Sequence, residues 1–262
     1  MKISTLTVIS LLYFGCTPDR GPIEFTISAP QTDQVLYNNE SISLSISTNE
    51  VITRVEYYFN GSLIGSSIMA PFSITWTPKD IPPGKHVFTI IVYDENRSNT
   101  SDVEVESLLR LGDKYCGGII FSLSYNGKKG LIATEEDLEH NNTFTFQWGP
   151  SDKYLTATSD YDGKTNTDLM SSSSIEGQAG YPFKSINING YDDWYIPSKN
   201  ELTTLKENKD IVGGFSNDSN ISRYWSSTEL SESHAFALNF SALMGTSVSK
   251  HYSYRIRPIR DF

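Results

Sequence analysis

From Ile23 to Leu108 the chain is written in short runs that alternate apolar and polar side chains: "IEFTISAP", "SISLSIS", "TRVEYYFNG", "SLIGSS", "FSITWTP", "HVFTIIVYD" and "DVEVESL". A period of two puts one set of side chains on each side of an extended backbone, and a helix cannot gather that pattern into one apolar stripe. Between two of the runs stand Asn60 and Gly61, a pair that tolerates positive φ at both central positions of a two-residue hairpin. Pro82-Pro83-Gly84 marks another reversal. Short strands with regular turns predict a β-sandwich over residues 22–108. No cysteine pair lies inside it, so Phe59, Phe72, Trp76, Phe88, Ile90 and Val92 must join the sheets by burial alone. Trp76 alternates with Ile74 and is read as core rather than as an exposed carbohydrate platform.

The wording "VEYYFNGSLIG", "APFSITWTP" and "PPGKHVFTIIVYDENRS" resembles the bacterial immunoglobulin-like domains found along many surface proteins and secreted glycosidases. That resemblance implies a spacer with no chemistry of its own.

The chain carries 31 acidic and 21 basic residues, a formal net charge of −10. Such a field repels polyanions, so nucleic acid is not an expected partner. The opening "MKISTLTVISLLYFGC" has Lys2, then an apolar run from Leu6 to Phe14, too short to span a bilayer and suited to an export signal. Its Gly15-Cys16 ending resembles the bacterial lipobox, which implies that Cys16 is lipidated. Residues 1–16 are thus expected to be a lipoprotein signal peptide with its lipobox Cys and 17–21 a tether, with the mature protein anchored by lipid in the bacterial envelope, at the surface of the outer membrane. The other cysteine, Cys116, has no metal-site spacing around it and is read as a half-buried free thiol.

Strand patterning restarts near Leu108 to Gly112, which predicts a second module over 109–262 that folds separately, and a second Asn-Gly pair, Asn126-Gly127, is expected to turn between two apolar strands. Gly117-Gly118 and the strand after them, "GLIA", Asn166-Thr167-Asp168, "GYDDWYIPSKNEL", "YWSSTE" and "YRIRPIR" together resemble the Lcl C-terminal domain family, named from the end of a bacterial collagen-like adhesin. The resemblance implies an α+β fold like that of C-type lectins and the formylglycine-generating enzyme, with a small sheet, two helices and long loops. The whole is therefore expected to be an all-β immunoglobulin-like sandwich followed by an α+β C-type-lectin-like domain. In the founding adhesin the domain binds sulfated glycosaminoglycans.

Within "DDWYIPSKNEL", Pro197 ends a "WYI" strand and Ser198 with Glu201 has capping-box spacing. Adjacent strand residues face opposite ways, so Asp192 and Asp193 make a poor catalytic pair. One of them is expected to brace an arginine of "RIRPIR", where Arg255 and Arg257 share a face; a small anion site is the other reading of those two. Asp160, Asp162, Asn166 and Asp168 crowd around Gly163 and are weak calcium candidates, while Thr165 and Asp168 also suit a helix cap. "RYWSSTE" with His234 and His251 lacks a nucleophile elbow, and no catalytic residue is assigned. In "HAFALNFSA", Phe236, Leu238 and Phe240 are expected to face inward. The other face and the loop from Met244 to Tyr252 are the expected contact surface, through Asn239, Ser241, Met244, His251, Tyr252 and Tyr254, for a glycan or surface-protein ligand. The competing function class is an enzyme, or an enzyme's accessory subunit, acting on envelope polymers.

Overall fold

The computed structural model describes residues 20–216, 221–242 and 245–262; Cys16, the leader and Met244 lie outside them. In the first module the strands are β1 (Thr26–Ala29), β2 (Val35–Tyr37), β3 (Ile42–Ser47), β4 (Arg54–Phe59), β5 (Ser62–Ser67), β6 (Ile74–Trp76), β7 (Gly84–Tyr93) and β8 (Ser98–Leu108). They form a sheet β1-β3-β6 and a sheet β2-β8-β7-β4-β5. Every run named from the sequence is a strand here. The addition is β2, which pairs parallel to β8 and at three residues is too short to show a period.

Alternation decides the packing. Val55, Tyr57 and Phe59 of β4 and Phe88, Ile90 and Val92 of β7 turn inward and are buried, while their neighbours face out. Phe59, Phe88 and Trp76 meet ring to ring, Trp76 edge-on to Phe88 at 5.5 Å, so Trp76 and the neighbouring Phe72 pack against the core rather than standing in solvent. Asn60 and Gly61 both take positive φ, 48° and 80°, as a two-residue hairpin requires.

The rest of the chain holds β9 (Lys114–Tyr115), β10 (Gly118–Leu123), β11 (Gly130–Ala133), β12 (Phe146–Gln147), helix α1 (Gly163–Ser173), helix α2 (Lys199–Glu207), the short helix α3 (Lys209–Val212), β13 (Arg223–Glu229), β14 (His234–Asn239), β15 (Gly245–Ser249), β16 (Ser253–Tyr254) and β17 (Ile259–Asp261). Their sheets are β17-β11-β10-β9, β12-β16 and β13-β14-β15, and among the described residues no sheet spans both modules. Two buried clusters fill this part, one around Trp148, Trp194 and Trp225 and one around Phe121, Tyr195, Tyr224 and Phe240. Among the described residues no helix is long and apolar enough to cross a membrane.

Three local expectations change. The Asn126-Gly127 turn is a longer loop, in which Asn126 Oδ1 accepts from Lys128 N and only Gly127 of the pair has positive φ. "WYI" is extended but joins the sheet through one bridge, Tyr195 to Ile259. "YRIRPIR" is likewise interrupted: β16 ends at Tyr254 and β17 begins at Ile259, with Pro258 between them unable to donate to a ladder.

The modules touch. Arg110 spans the boundary, stacking on Tyr37 and bonding both Glu40 and Asp113. Asn39 donates to Lys114 O, and Cys116 N donates to Asp80 Oδ1 at 2.6 Å. Cys116 itself is half-buried and free.

Candidate functional site

Helix starts set the scaffold. In α2 the capping box is complete: Ser198 N donates to Glu201 Oε2 at 2.7 Å, and Glu201 N returns to Ser198 Oγ. Helix α1 is capped by Asp162, whose carboxylate accepts from Thr165 N at 2.8 Å and Thr165 Oγ1 at 2.7 Å. Those bonds hold its carboxyl below the usual carboxylate range. The cap is therefore Asp162, not Thr165 with Asp168. Gly163 is dictated by contact, since a Cβ there would sit 2.6 Å from Ile196 O and Ser198 N. The two helix starts thus abut.

This geometry disperses the four calcium candidates. Asp160 pairs with Lys199 at 3.0 Å, Asp162 caps the helix, and buried Asn166 closes the loop through Ser159 N and Ser159 O. Asp168 stands exposed on the helix surface. Among the described residues no three His, Cys, Asp or Glu side chains gather as a metal would need.

The cations of the C-terminal segment are also committed. Arg257 is 0% exposed and bonds Asp137 Oδ1 together with the carbonyls of Thr134, Glu135, Gly213 and Gly214. Arg255 reaches the same carboxylate at 2.8 Å, and Tyr224 OH donates to it. The acid that braces Arg255 and Arg257 is thus Asp137, far from both in sequence, and the anion-site reading of that pair is overturned. The expected brace between the acid pair and an arginine of "RIRPIR" is made by Asp193, which grips Arg260 with both oxygens, at 2.6 and 2.8 Å, while Asp192 is exposed. Lys250 is fully buried against Glu229 at 2.5 Å and over the Trp148 ring; both Glu229 oxygens also accept from Leu155 N.

The serines of "RYWSSTE" are interior. Ser226 Oγ donates to Phe236 O, and Ser227 is met by Asn166 Nδ2. Both are 0% exposed, and His234 bonds Ser233 instead.

Strand β14 departs most from expectation. Leu238 and Phe240 do pack inward, but Ala235 and Ala237 on the opposite face are buried as well, inside the cluster that contains Trp225 and Val248. The strand is central, and one layer covers each face. What opens to solvent is the far end of that second face. Register sets Arg223 opposite Asn239, and Ala237 opposite both Trp225 and Thr246. With alanines in the middle strand and larger groups on either side, a groove of about 220 Å³ runs along Arg223, Ala237, Asn239, Thr246 and Val248.

Of the six expected contact residues, Asn239 lines this groove. Its Oδ1 accepts from Ser222 Oγ and from the backbone and hydroxyl of Ser241. Ser241 is exposed beside it. Tyr254 lies over Trp225 at 4.8 Å, and its OH accepts from Arg223 Nη1 at 3.0 Å. Tyr252 stands 60% exposed with its ring parallel to that of Tyr254, and His251 is exposed next to it. Arg223 escaped the sequence reading; its alternation with Trp225 places it on that face, but only the register reveals the groove.

Residues 24–90 match the family described as "Bacterial Ig domain", and no curated protein matches the chain. Among solved structures, the chain is similar to the fibronectin(III)-like modules of Clostridium thermocellum CbhA, at 24% identity over 34% of this chain and 47% of that one, with a TM-score of 0.30. It is also similar to the endo-beta-1,4-mannanase from Thermotoga petrophila, at 7% identity over 36% of this chain and 21% of that one, TM-score 0.29. A third is the beta-glucuronidase of Parabacteroides merdae, at 15% identity over 44% and 15%, TM-score 0.28. The chain spans less than half the length of each.

Proposed function

We propose that this is a lipid-anchored protein of the bacterial cell surface whose second module binds a glycan or protein ligand, with the immunoglobulin-like domain as its spacer. The second module takes its place in this reading from its resemblance to the Lcl C-terminal domain family and hence to a lectin-like fold. The anchor rests on the apolar leader and Gly15-Cys16.

The observation that carries the reading is the open groove on the β13-β14-β15 sheet, where Arg223 bonds Tyr254 and Tyr252 stacks on Tyr254 in turn. An exposed tyrosine, Tyr252, and a half-buried one, Tyr254, with an arginine and an amide offer apolar area and directed hydrogen bonds at small entropic cost, a composition favoured at recognition surfaces. The buried state of Ser226 and Ser227 and the dispersed carboxylates favour binding over turnover.

The test is a glycan and surface-protein array probed with the whole chain in detergent, wild type beside Tyr252→Ala and Tyr254→Ala. Binding weakened by both changes is the expected result. A ligand that ignores both would remove this surface from consideration, and turnover of an arrayed polymer would transfer the protein to the enzyme class. Labelling cells with a clickable fatty acid tests the anchor, since Cys16→Ser should abolish the label.

A further inference from the structure

Resting on that reading of the groove, we infer that its ligand is a sugar ring bearing one carboxylate, such as a hexuronate unit, with Arg223 as the carboxylate's partner. The argument begins with how the arginines are used. Arg54 pairs with Glu56, Arg97 with Glu50 and Asp94, Arg110 with Glu40 and Asp113, Arg255 and Arg257 with Asp137, and Arg260 with Asp193. Apart from Arg20, where the described chain starts, Arg223 alone among the described arginines has no carboxylate partner among the described residues. In a chain with ten more acids than bases, a guanidinium left without one is a site for an incoming anion.

The guanidinium is also held ready. Its Nη1 donates to Tyr254 OH and its carbon lies 5.6 Å from the centre of that ring, so the side chain is anchored at one corner while its other donors remain open. A planar fork fixed in this way matches a carboxylate in two bonds.

The rest of the groove selects the body of the ligand. Ala237 and Val248 give an apolar floor, and Asn239 and Thr246 give polar edges. A pyranose ring has the same division, with C–H faces and hydroxyl edges. The volume, about 220 Å³, lies below the range of about 300–1,000 Å³ usual for drug-sized ligands, which suits a single ring. A polyanion does not fit this surface: Lys250, Arg255 and Arg257 are tied internally, and the net charge of −10 opposes a chain of negative groups.

The test titrates the whole chain in detergent with methyl hexuronides and with the matching methyl hexosides, which differ only in carrying CH₂OH in place of the carboxylate. Wild type should bind one hexuronide at least about tenfold more tightly than its hexoside, as a charged hydrogen-bonded contact implies. Arg223→Gln should erase that preference while leaving the thermal midpoint unchanged, because the side chain is exposed. Equal binding of acid and neutral sugar, both weakened by Tyr252→Ala, would overturn the carboxylate inference and leave the binding surface standing. A preference that survives Arg223→Gln would overturn it too. Arg223-dependent capture of a glutamate-rich peptide with no sugar binding would replace the sugar by an acidic peptide, and silence toward every probe would overturn the groove as a binding site altogether.

Discussion

In residues 22–108, β7 and β8 pair continuously from Gly84 with Ser107 to Tyr93 with Ser98, and the buried polar side chains are few: Asn38, His86 and Ser107. In residues 109–262 most ladders are short, and the interior holds Asn166, Gln178, Glu229, Lys250, Arg257 and Arg260 together with several serines and threonines. The first module satisfies its backbone by pairing strands. The second must satisfy long loops, so buried side chains reach out to loop carbonyls and amides, as Arg257 does to four carbonyls and Glu229 to Leu155 N. The difference teaches where each half should be fragile: the sandwich to lost volume, the looped module to lost charge partners.

The largest effect is expected at the Lys250–Glu229 pair. Removing one partner leaves the other charge buried alone, at about 3–5 kcal/mol, so Lys250→Met should lower the urea midpoint of the second module's transition sharply. The double change Lys250→Met with Glu229→Leu should recover much of that loss. If the single and double variants unfold alike, the charge explanation of this module's stability is wrong.

In the sandwich the matching experiment is Ile90→Ala. Ile90 is fully buried between the sheets, and a cavity of that kind is expected to cost about 3 kcal/mol. Calorimetry should show the first module's transition moving and the second's staying put; a shift of both would mean that the contacts through Arg110 and Asp80 couple the halves more strongly than their exposure suggests.

A smaller loss, about 1 kcal/mol, is expected from Ser198→Ala, which removes half of the α2 capping box. The partner Glu201 should complicate the acid response, because burial raises its carboxyl above the ordinary 4.5 despite the bonds from Ser198 that lower it. A raised carboxyl favours the folded state at low pH, and that contribution is lost as pH rises through the folded-state value.

The smallest effect runs the opposite way. The Arg260 guanidinium holds the Asp193 carboxyl below its ordinary 3.8, so its contribution is complete above that value and is lost as pH falls through the folded-state value. Asp193→Asn should therefore lower stability slightly at neutral pH and leave it unchanged at low pH, so the acid side of the profile flattens. An unchanged acid limb would show that the bidentate contact is not maintained in solution.

How much of this was legible beforehand differs between the halves for the same reason. Strand runs, the Asn60-Gly61 hairpin and the Trp76 packing follow from neighbours within a few residues, and so does the Ser198–Glu201 cap. The site was harder. Tyr252, Tyr254 and Asn239 were visible as candidates from alternation and exposure, yet Arg223 was not, because its significance lies in the absence of a carboxylate that other arginines have. β14 misled because period two tells which side chains share a face but not whether a second layer covers it.

The sequence by itself determined much of the local geometry: where the first module's strands extend, where Asn60-Gly61 turns, and where the helix after Ser198 begins. Only the tertiary structure decided which charges meet. Asp137 receives Arg257 from 120 positions away and Asp193 receives Arg260 from 67, while Arg223 meets a tyrosine in place of an acid. Backbone preference acts through sterics and hydrogen bonds between near neighbours, so a few residues suffice to express it. A buried charge is satisfied by whichever group the topology delivers within about 3 Å, and that depends on how every intervening loop is routed.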